Sequence, residues 1–142
     1  MIYRAIGDHD ISMLGYASSR DGVHIDERLK DPVYVPTEPF EFQKDPGKKP
    51  IPISAYASGG GGYGGVEDPR LTKIGKKLYM TYVAYDGNGP PRVALTSISI
   101  SDFRKKKWNW ERPVLITKPG VLDKNAVIFP EKINGKYCIM HR

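Results

Sequence analysis

Lys77-Leu78-Tyr79-Met80-Thr81-Tyr82-Val83-Ala84, the cluster Asp86-Gly87-Asn88-Gly89 and Arg92-Val93-Ala94-Leu95-Thr96-Ser97-Ile98-Ser99-Ile100 follow one another in mid-chain, and their reading decides the fold class. The first run is rich in tyrosine and the second in β-branched residues, and both largely alternate, which suits a pleated, half-buried surface. The cluster between them holds the residue types that tight turns demand, so the three together read as an antiparallel hairpin. Outward from it lie further short strand candidates: Met1 to Ala5, Met13 to Ser18, Val33 to Val35, Val114 to Thr117, Ala126 to Phe129 and Tyr137 to Met140. Gly, Pro, Asn and Asp clusters separate them. No stretch sustains a 3.6-residue apolar period, so little helix is expected and the class is all-β.

A loose repeat runs through these strands. Ile2-Tyr3-Arg4-Ala5 leads to Met13-Leu14-Gly15-Tyr16-Ala17-Ser18-Ser19 and then Asp21-Gly22-Val23-His24, much as Met80 to Ala84 leads to Val93 to Ser97 and then Ser101-Asp102-Phe103. A third unit begins at Asn134-Gly135-Lys136-Tyr137. Repeated antiparallel sheets of this kind read as propeller blades. The expected units are about 1–35, 66–117 and 123–142 of one domain, with a proline- and glycine-rich insertion at 36–65. Unclosed edges at both ends predict a fragment of a larger propeller and a tendency to homo-oligomerise.

Composition narrows the function classes. With 12 prolines and 15 glycines in 142 residues, the chain reads as turn-rich rather than as a helical bundle. No apolar run approaches the ~18 residues that a spanning helix needs, and the N-terminus has no basic region followed by an apolar core. A cytoplasmic protein with no membrane partner is the expectation. The single cysteine, Cys138, cannot form an internal disulfide or a cysteine metal cluster; within an apolar run it is expected to be a buried structural thiol. The net charge of +6 favours anionic partners. Arg104-Lys105-Lys106-Lys107, flanked by Phe103 and Trp108, has the ingredients of a single-strand nucleic-acid site. No nucleic-acid motif surrounds it, so it reads as a solvated loop and no nucleic-acid partner is expected. Asp8, His9 and Asp10 form a small polar cluster at a hairpin tip, and no metal is expected there.

The chemistry centres on Gly65-Val66-Glu67-Asp68-Pro69-Arg70. Two adjacent carboxylates precede a proline, which fixes its own φ and biases Asp68 toward an extended backbone. Held at a rigid turn, such a carboxylate suits proton transfer to a bound substrate. The same residues also fit an ordinary Asp-Pro turn with a surface ion pair. Tyr63, set among glycines beside the acid, could stack on a sugar face. Tyr56 has the same chemistry, whereas Trp108 and Trp110 read as packing residues.

Four stretches in order resemble one family: Ile2-Tyr3-Arg4-Ala5, Glu67-Asp68-Pro69-Arg70, Asp123-Lys124-Asn125-Ala126-Val127-Ile128-Phe129-Pro130-Glu131-Lys132, and Asn134-Gly135-Lys136-Tyr137-Cys138-Ile139-Met140-His141-Arg142. Together they resemble the β-mannoside phosphorylases of glycoside hydrolase family 130. The resemblance implies a five-bladed β-propeller, of which this chain would supply about two to three blades. It implies inverting phosphorolysis of β-mannosides to α-mannose 1-phosphate, with inorganic phosphate as co-substrate and no cofactor. Asp68 would be the general acid, passing its proton through a hydroxyl of the mannosyl ring. Lys124 and Arg142 would bind phosphate, with Asn125 beside them. Arg4 would contact the mannosyl ring, and Arg70 would orient Glu67 or Asp68 at the substrate. The family's sugar contacts that precede the first motif, and those of its later blades, have no counterpart in this sequence. Two alternatives stay open: a β-mannoside hydrolase of the same fold, and a non-catalytic glycan-binding propeller module.

Overall fold

The computed structural model describes residues 1–7, 10–42, 49–56 and 62–142. Asp8 and His9 of the small polar cluster, and Gly59 to Gly61 of the glycine run, lie outside the described residues. The central hairpin is β5 (Lys77–Tyr85) with β6 (Arg92–Ser99), in antiparallel register from Lys77↔Ser99 to Ala84↔Arg92. On one side β5 pairs with the long β4 (Gly64–Ile74), and on the other β6 pairs with the short β7 (Val114–Leu115). The N-terminal group is β1 (Ile2–Ile6), β2 (Ile11–Ser18) and β3 (Glu27–Arg28), antiparallel throughout. The two groups join by a short parallel step, Ile11↔Gly64 and Ser12↔Gly65. Gly65 is needed at that step. Its φ is +115°, and a Cβ there would fall 2.2 Å from the Ser12 carbonyl oxygen. A separate ribbon, β8 (Val127–Ile128) with β9 (Ile139–Met140), follows. Asn134 and Gly135, both at positive φ, close it.

The reason β5 reads as a near-continuous buried run from Met80 to Tyr85 is that both of its faces are covered. Met80, Tyr82 and Ala84 meet Leu14, Tyr34, Val66 and Ala94 in the core. On the opposite face the Thr81 hydroxyl donates to the Ala126 carbonyl at 2.6 Å, and the Thr72 hydroxyl of β4 donates to the Ile128 carbonyl at 3.0 Å. Threonine packs a methyl while its hydroxyl satisfies a carbonyl that burial would otherwise leave unpaired. The segment 126–128 is thereby fixed across β4 and β5.

The core contains a charge that no sequence feature announced. Glu41 is fully buried. Its carboxylate accepts the Tyr34 hydroxyl at 2.8 Å, the Tyr82 hydroxyl at 2.5 Å, and the backbone amides of Thr37 and Glu38 at 2.6 and 2.8 Å. A buried carboxylate is tolerable only when its lone pairs are satisfied in this way.

Several expectations need correction. Val33 to Val35 forms a single bridge, Tyr34↔Leu14, because Tyr34 turns inward to Glu41 and the chain then leaves the sheet. Cys138 is only half-buried and outside β9, whose two residues are themselves exposed. The run after Ser99 turns into a five-residue helix, α1 (Ile100–Arg104). Ser99 is its N-cap, accepting the Asp102 amide at 2.9 Å, and Asp102 sits favourably in the first turn. The aromatics beside the basic run are spent on packing: Phe103 and Trp108 both contact the Tyr16 ring, at 6.0 and 5.5 Å between centroids. Lys106 pairs with Glu27 at 2.5 Å.

Burial pushes the Tyr85 phenol up to about 12, and burial drives Tyr34 and Tyr82 higher still. The folded state therefore holds these protons more tightly than the unfolded chain, in which a tyrosine ionises near 10. Their stabilising contribution is complete below pH ~10 and is lost as pH rises from there through about 12. Tyrosinate absorbance should show three of the nine tyrosines ionising late, with the protein's urea midpoint falling over the same interval. A full tyrosine titration completed without loss of fold would contradict this burial.

Candidate active site

The Glu67-Asp68-Pro69-Arg70 stretch is not a turn between strands, as the sequence suggested, but the interior of β4. Glu67 opposes Val83 and Arg70 opposes Thr81, so three steps along β4 match two along β5. One extra residue makes a β-bulge. Pro69 has no amide to donate to the ladder, and a bulge is where a strand tolerates that. The expected extended backbone at Asp68 is also wrong: its φ is +50°. Asp is among the few residues that enter the left-handed region readily, and the bulge geometry outweighs the bias imposed by the following proline. The bulge has a consequence for side chains. Residues three apart on a regular strand point to opposite faces, whereas here Glu67 and Arg70 share one face and half-buried Asp68 projects at the kink.

Glu67 is 1% exposed. Ser12 donates its hydroxyl to Glu67 Oε1 at 3.0 Å, and Arg4 Nη1 lies 3.2 Å from Oε2. Arg4 thus meets a carboxylate from the second strand group, and Glu67 has both oxygens engaged. Arg70, expected to orient Glu67 or Asp68, instead donates from Nη2 to Asn125 Oδ1 at 3.0 Å. That bond ties the bulged strand to the segment carrying Lys124 and Asn125.

The second segment repeats the device. Lys124 donates its amide to the Arg142 carbonyl at 2.6 Å, and Arg142 donates back at 3.2 Å. Val127 pairs with Met140, so three steps on one side again face two on the other. Asn125 falls in the irregularity, with φ +56°. Both bulges therefore place a left-handed Asp or Asn at the site, and strained backbone of this kind gathers where side chains must be aimed. Lys124 is half-buried and Arg142 exposed. Residues that exchange both backbone hydrogen bonds across an antiparallel pair carry their side chains on the same face.

Tyr63 is 41% exposed at the head of β4, its amide bonded to the Asp10 carbonyl at 2.9 Å. Tyr56 is taken up elsewhere, its ring 6.0 Å from Tyr85. Trp110 donates its indole N–H to the Val33 carbonyl at 2.8 Å. The side chains of Asp68, Lys124 and Arg142 make no hydrogen bond or ion pair among the described residues. Sequence reasoning missed Ser12, Glu41 and the contact of Asp123 with His141. A polar serine between Ile11 and Met13 of β2 was the visible signal for the first; the Tyr82 bond to Glu41 and the Asp123–His141 contact depend on pairings distant in the chain. No group of three or more His, Cys, Asp or Glu among the described residues could hold a metal ion.

Antiparallel groups joined edge to edge, with almost no helix, make this an all-β protein with the architecture of part of a β-propeller. Two solved structures share the fold. A glycosyl hydrolase from Bacteroides ovatus matches 97% of this chain and 38% of its own with a TM-score of 0.63 at 24% identity. A putative glycoside hydrolase from Parabacteroides distasonis matches 97% of this chain and 43% of its own with a TM-score of 0.55 at 21% identity. The chain belongs to glycoside hydrolase family 130, whose sequence model, described as beta-1,4-mannooligosaccharide phosphorylase, matches residues 1–142. Two relatives from Thermoanaerobacter sp. (strain X514) are each 34% identical: a beta-1,2-mannobiose phosphorylase over 93% of this chain, and a 1,2-beta-oligomannan phosphorylase over all of it. This chain spans 34% and 41% of their respective lengths.

Arg4→Ala would leave a buried carboxylate without its cation, so it should destabilise the fold by about 3 kcal/mol. Adding Glu67→Gln to that variant should recover most of the loss, because the surviving group is neutral. Urea denaturation of the two variants checks this; an Arg4→Ala protein as stable as the parent would show that the pair does not hold the strands together.

Proposed function

We propose that this chain carries the acid and phosphate portions of an inverting β-mannoside phosphorylase, which yields α-mannose 1-phosphate. The observation that carries the reading is the placement of Lys124 and Arg142 directly across an antiparallel pair. Like charges so placed repel and destabilise the pair. An anion received between them turns that repulsion into charge-assisted binding. Phosphate is such an anion and is already a competent nucleophile.

In the proposed reaction a phosphate oxygen attacks the anomeric carbon from the face opposite the leaving group, and the glycosidic C–O bond breaks. The leaving oxygen takes the proton supplied by Asp68. Lys124 and Arg142 neutralise and align the nucleophile, which removes much of the entropic barrier. Asn125 sits beside them, linked by Arg70 to the bulge that bears Asp68. In this reading Tyr63, 41% exposed, would offer its ring to the sugar, and Arg4, paired with Glu67, would contact the mannosyl ring.

Hydrolysis would require a second carboxylate to activate water. Glu67 is the neighbour of Asp68, yet it is buried, and both of its oxygens are bonded to Ser12 and Arg4. Asp123 is nearly buried against His141. Neither is disposed to act as a base toward water.

Incubation of the protein with β-1,2- and β-1,4-mannobiose, with and without inorganic phosphate, tests the reading. Phosphate-dependent mannose 1-phosphate is the expected product, and the preferred disaccharide reports the linkage. Asp68→Asn should lower kcat by roughly a thousandfold. Free mannose released equally without phosphate would overturn the assignment in favour of a hydrolase.

A further inference from the structure

His141 and Asp123 lie outside the acid and phosphate roles assigned above, but they stand next in sequence to Arg142 and Lys124. His141 Nδ1 lies 2.7 Å from Asp123 Oδ2 and 3.0 Å from Oδ1. Since a carboxylate only accepts, Nδ1 carries the proton in this contact. The Asp123 side chain is 9% exposed and the His141 side chain 50%. Asp123 is itself anchored, its amide donating to the Pro91 carbonyl at 3.0 Å beside the β5–β6 turn.

We propose that the His141–Asp123 contact is a positioning clamp that sets the separation of Lys124 and Arg142 for an anion of phosphate geometry. The proposal rests on the phosphorylase reading of those two cations. The need for a clamp follows from how lightly β9 is held. Ile139 and Met140 are exposed, so little apolar burial retains the strand. Segments of that kind open locally at small cost in free energy. The two backbone hydrogen bonds between Lys124 and Arg142 would also have to resist the mutual repulsion of their side chains. The imidazole contact adds a side-chain bond one residue before Arg142, to a carboxylate fixed on the sheet. Groups that orient a ligating side chain without touching the ligand act in this manner. His141 and Asp123 are therefore positioning residues and not catalytic ones.

Calorimetric titration with inorganic phosphate tests the clamp. His141→Ala should weaken phosphate binding about tenfold, the scale seen when an orienting partner of a ligand group is removed. In His141→Asn the side-chain amide can occupy the place of Nδ1–H, so binding should stay within about twofold of the parent. Asp123→Ala should weaken phosphate as His141→Ala does. Thermal melts of the two His141 variants should both show a folded protein at the titration temperature, so that a loss of affinity confined to His141→Ala reports local positioning and not loss of the fold. Parental phosphate affinity in His141→Ala overturns the clamp. Lys124→Ala and Arg142→Ala separate the two ideas: if both lose phosphate while His141→Ala keeps it, the cation reading stands and the clamp falls. If neither loses phosphate, the cation reading itself falls and takes the clamp with it.

Discussion

The ion pair of Arg4 with Glu67 is the constraint on which the rest of the arrangement depends. It joins β1 to β4, and the Ser12 hydroxyl adds β2 to the same carboxylate. It reinforces the short parallel step at Ser12 and Gly65, beside the shared apolar core of Leu14, Val66 and Met80 and the Lys106–Glu27 pair. A carboxylate that is 1% exposed is costly unless partners satisfy it, so Arg4 and Ser12 favour the approach of the N-terminal group to β4. Burying an ion pair contributes little net stability, and its value lies in excluding other registers. A one-residue slip at the parallel step would strand Glu67 away from Arg4 and press a side chain onto the Ser12 backbone, where only Gly65 fits.

Glu41 does the corresponding work from the other side of the sheet. Val66 and Tyr82 face the core, whereas Glu67 and Val83 face away from it, so the two buried carboxylates lie on opposite faces of the β4–β5 pair. The Glu41 side chain gathers Tyr34 and Tyr82, while its carbonyl accepts the Gly65 amide at 2.6 Å. The head of β4 is therefore gripped twice before the chain reaches Asp68. A bulge in a strand left loose at that end could slide; held there, it stays where it aims the carboxylate.

How much of this was legible in the sequence depends on range. The β5–β6 hairpin was plain, because alternation and turn chemistry are local signals. β4 was not recognised as a strand, since Asp68-Pro69 carries the strongest local signal for a turn and only the pairing with β5 turns it into a bulge. The helix after Ser99 was hidden by the β-branched run before it, although the serine cap three residues ahead of Asp102 was there to be read. The candidate site residues were picked out by motif. What each one touches was not: Arg4 with Glu67 and Arg70 with Asn125 are separated by dozens of residues, and no local rule reaches that far. The Asp123–His141 contact, eighteen residues apart, was missed for the same reason.

The geometry also bears on why phosphorolysis and hydrolysis diverge on one fold. Both need a proton donor at the leaving oxygen, and they differ in what must be done to the nucleophile. Water has to be deprotonated, whereas phosphate has to be neutralised and held. In this chain the carboxylate beside Asp68 is spent on joining β1, β2 and β4, so structural integrity competes with any role as a base. Freeing Glu67 for water activation would mean giving up the contact that fixes the bulge. Lys124 and Arg142 are meanwhile backbone partners, and like charges at such positions disfavour pairing unless an anion answers them. A site in which Glu67 and Asp123 are internally satisfied while Lys124 and Arg142 are not suits an anionic nucleophile. On the phosphorylase reading proposed above, a preference for phosphate would arise as much from where the fold has already committed its carboxylates as from where it has placed its lysine and arginine.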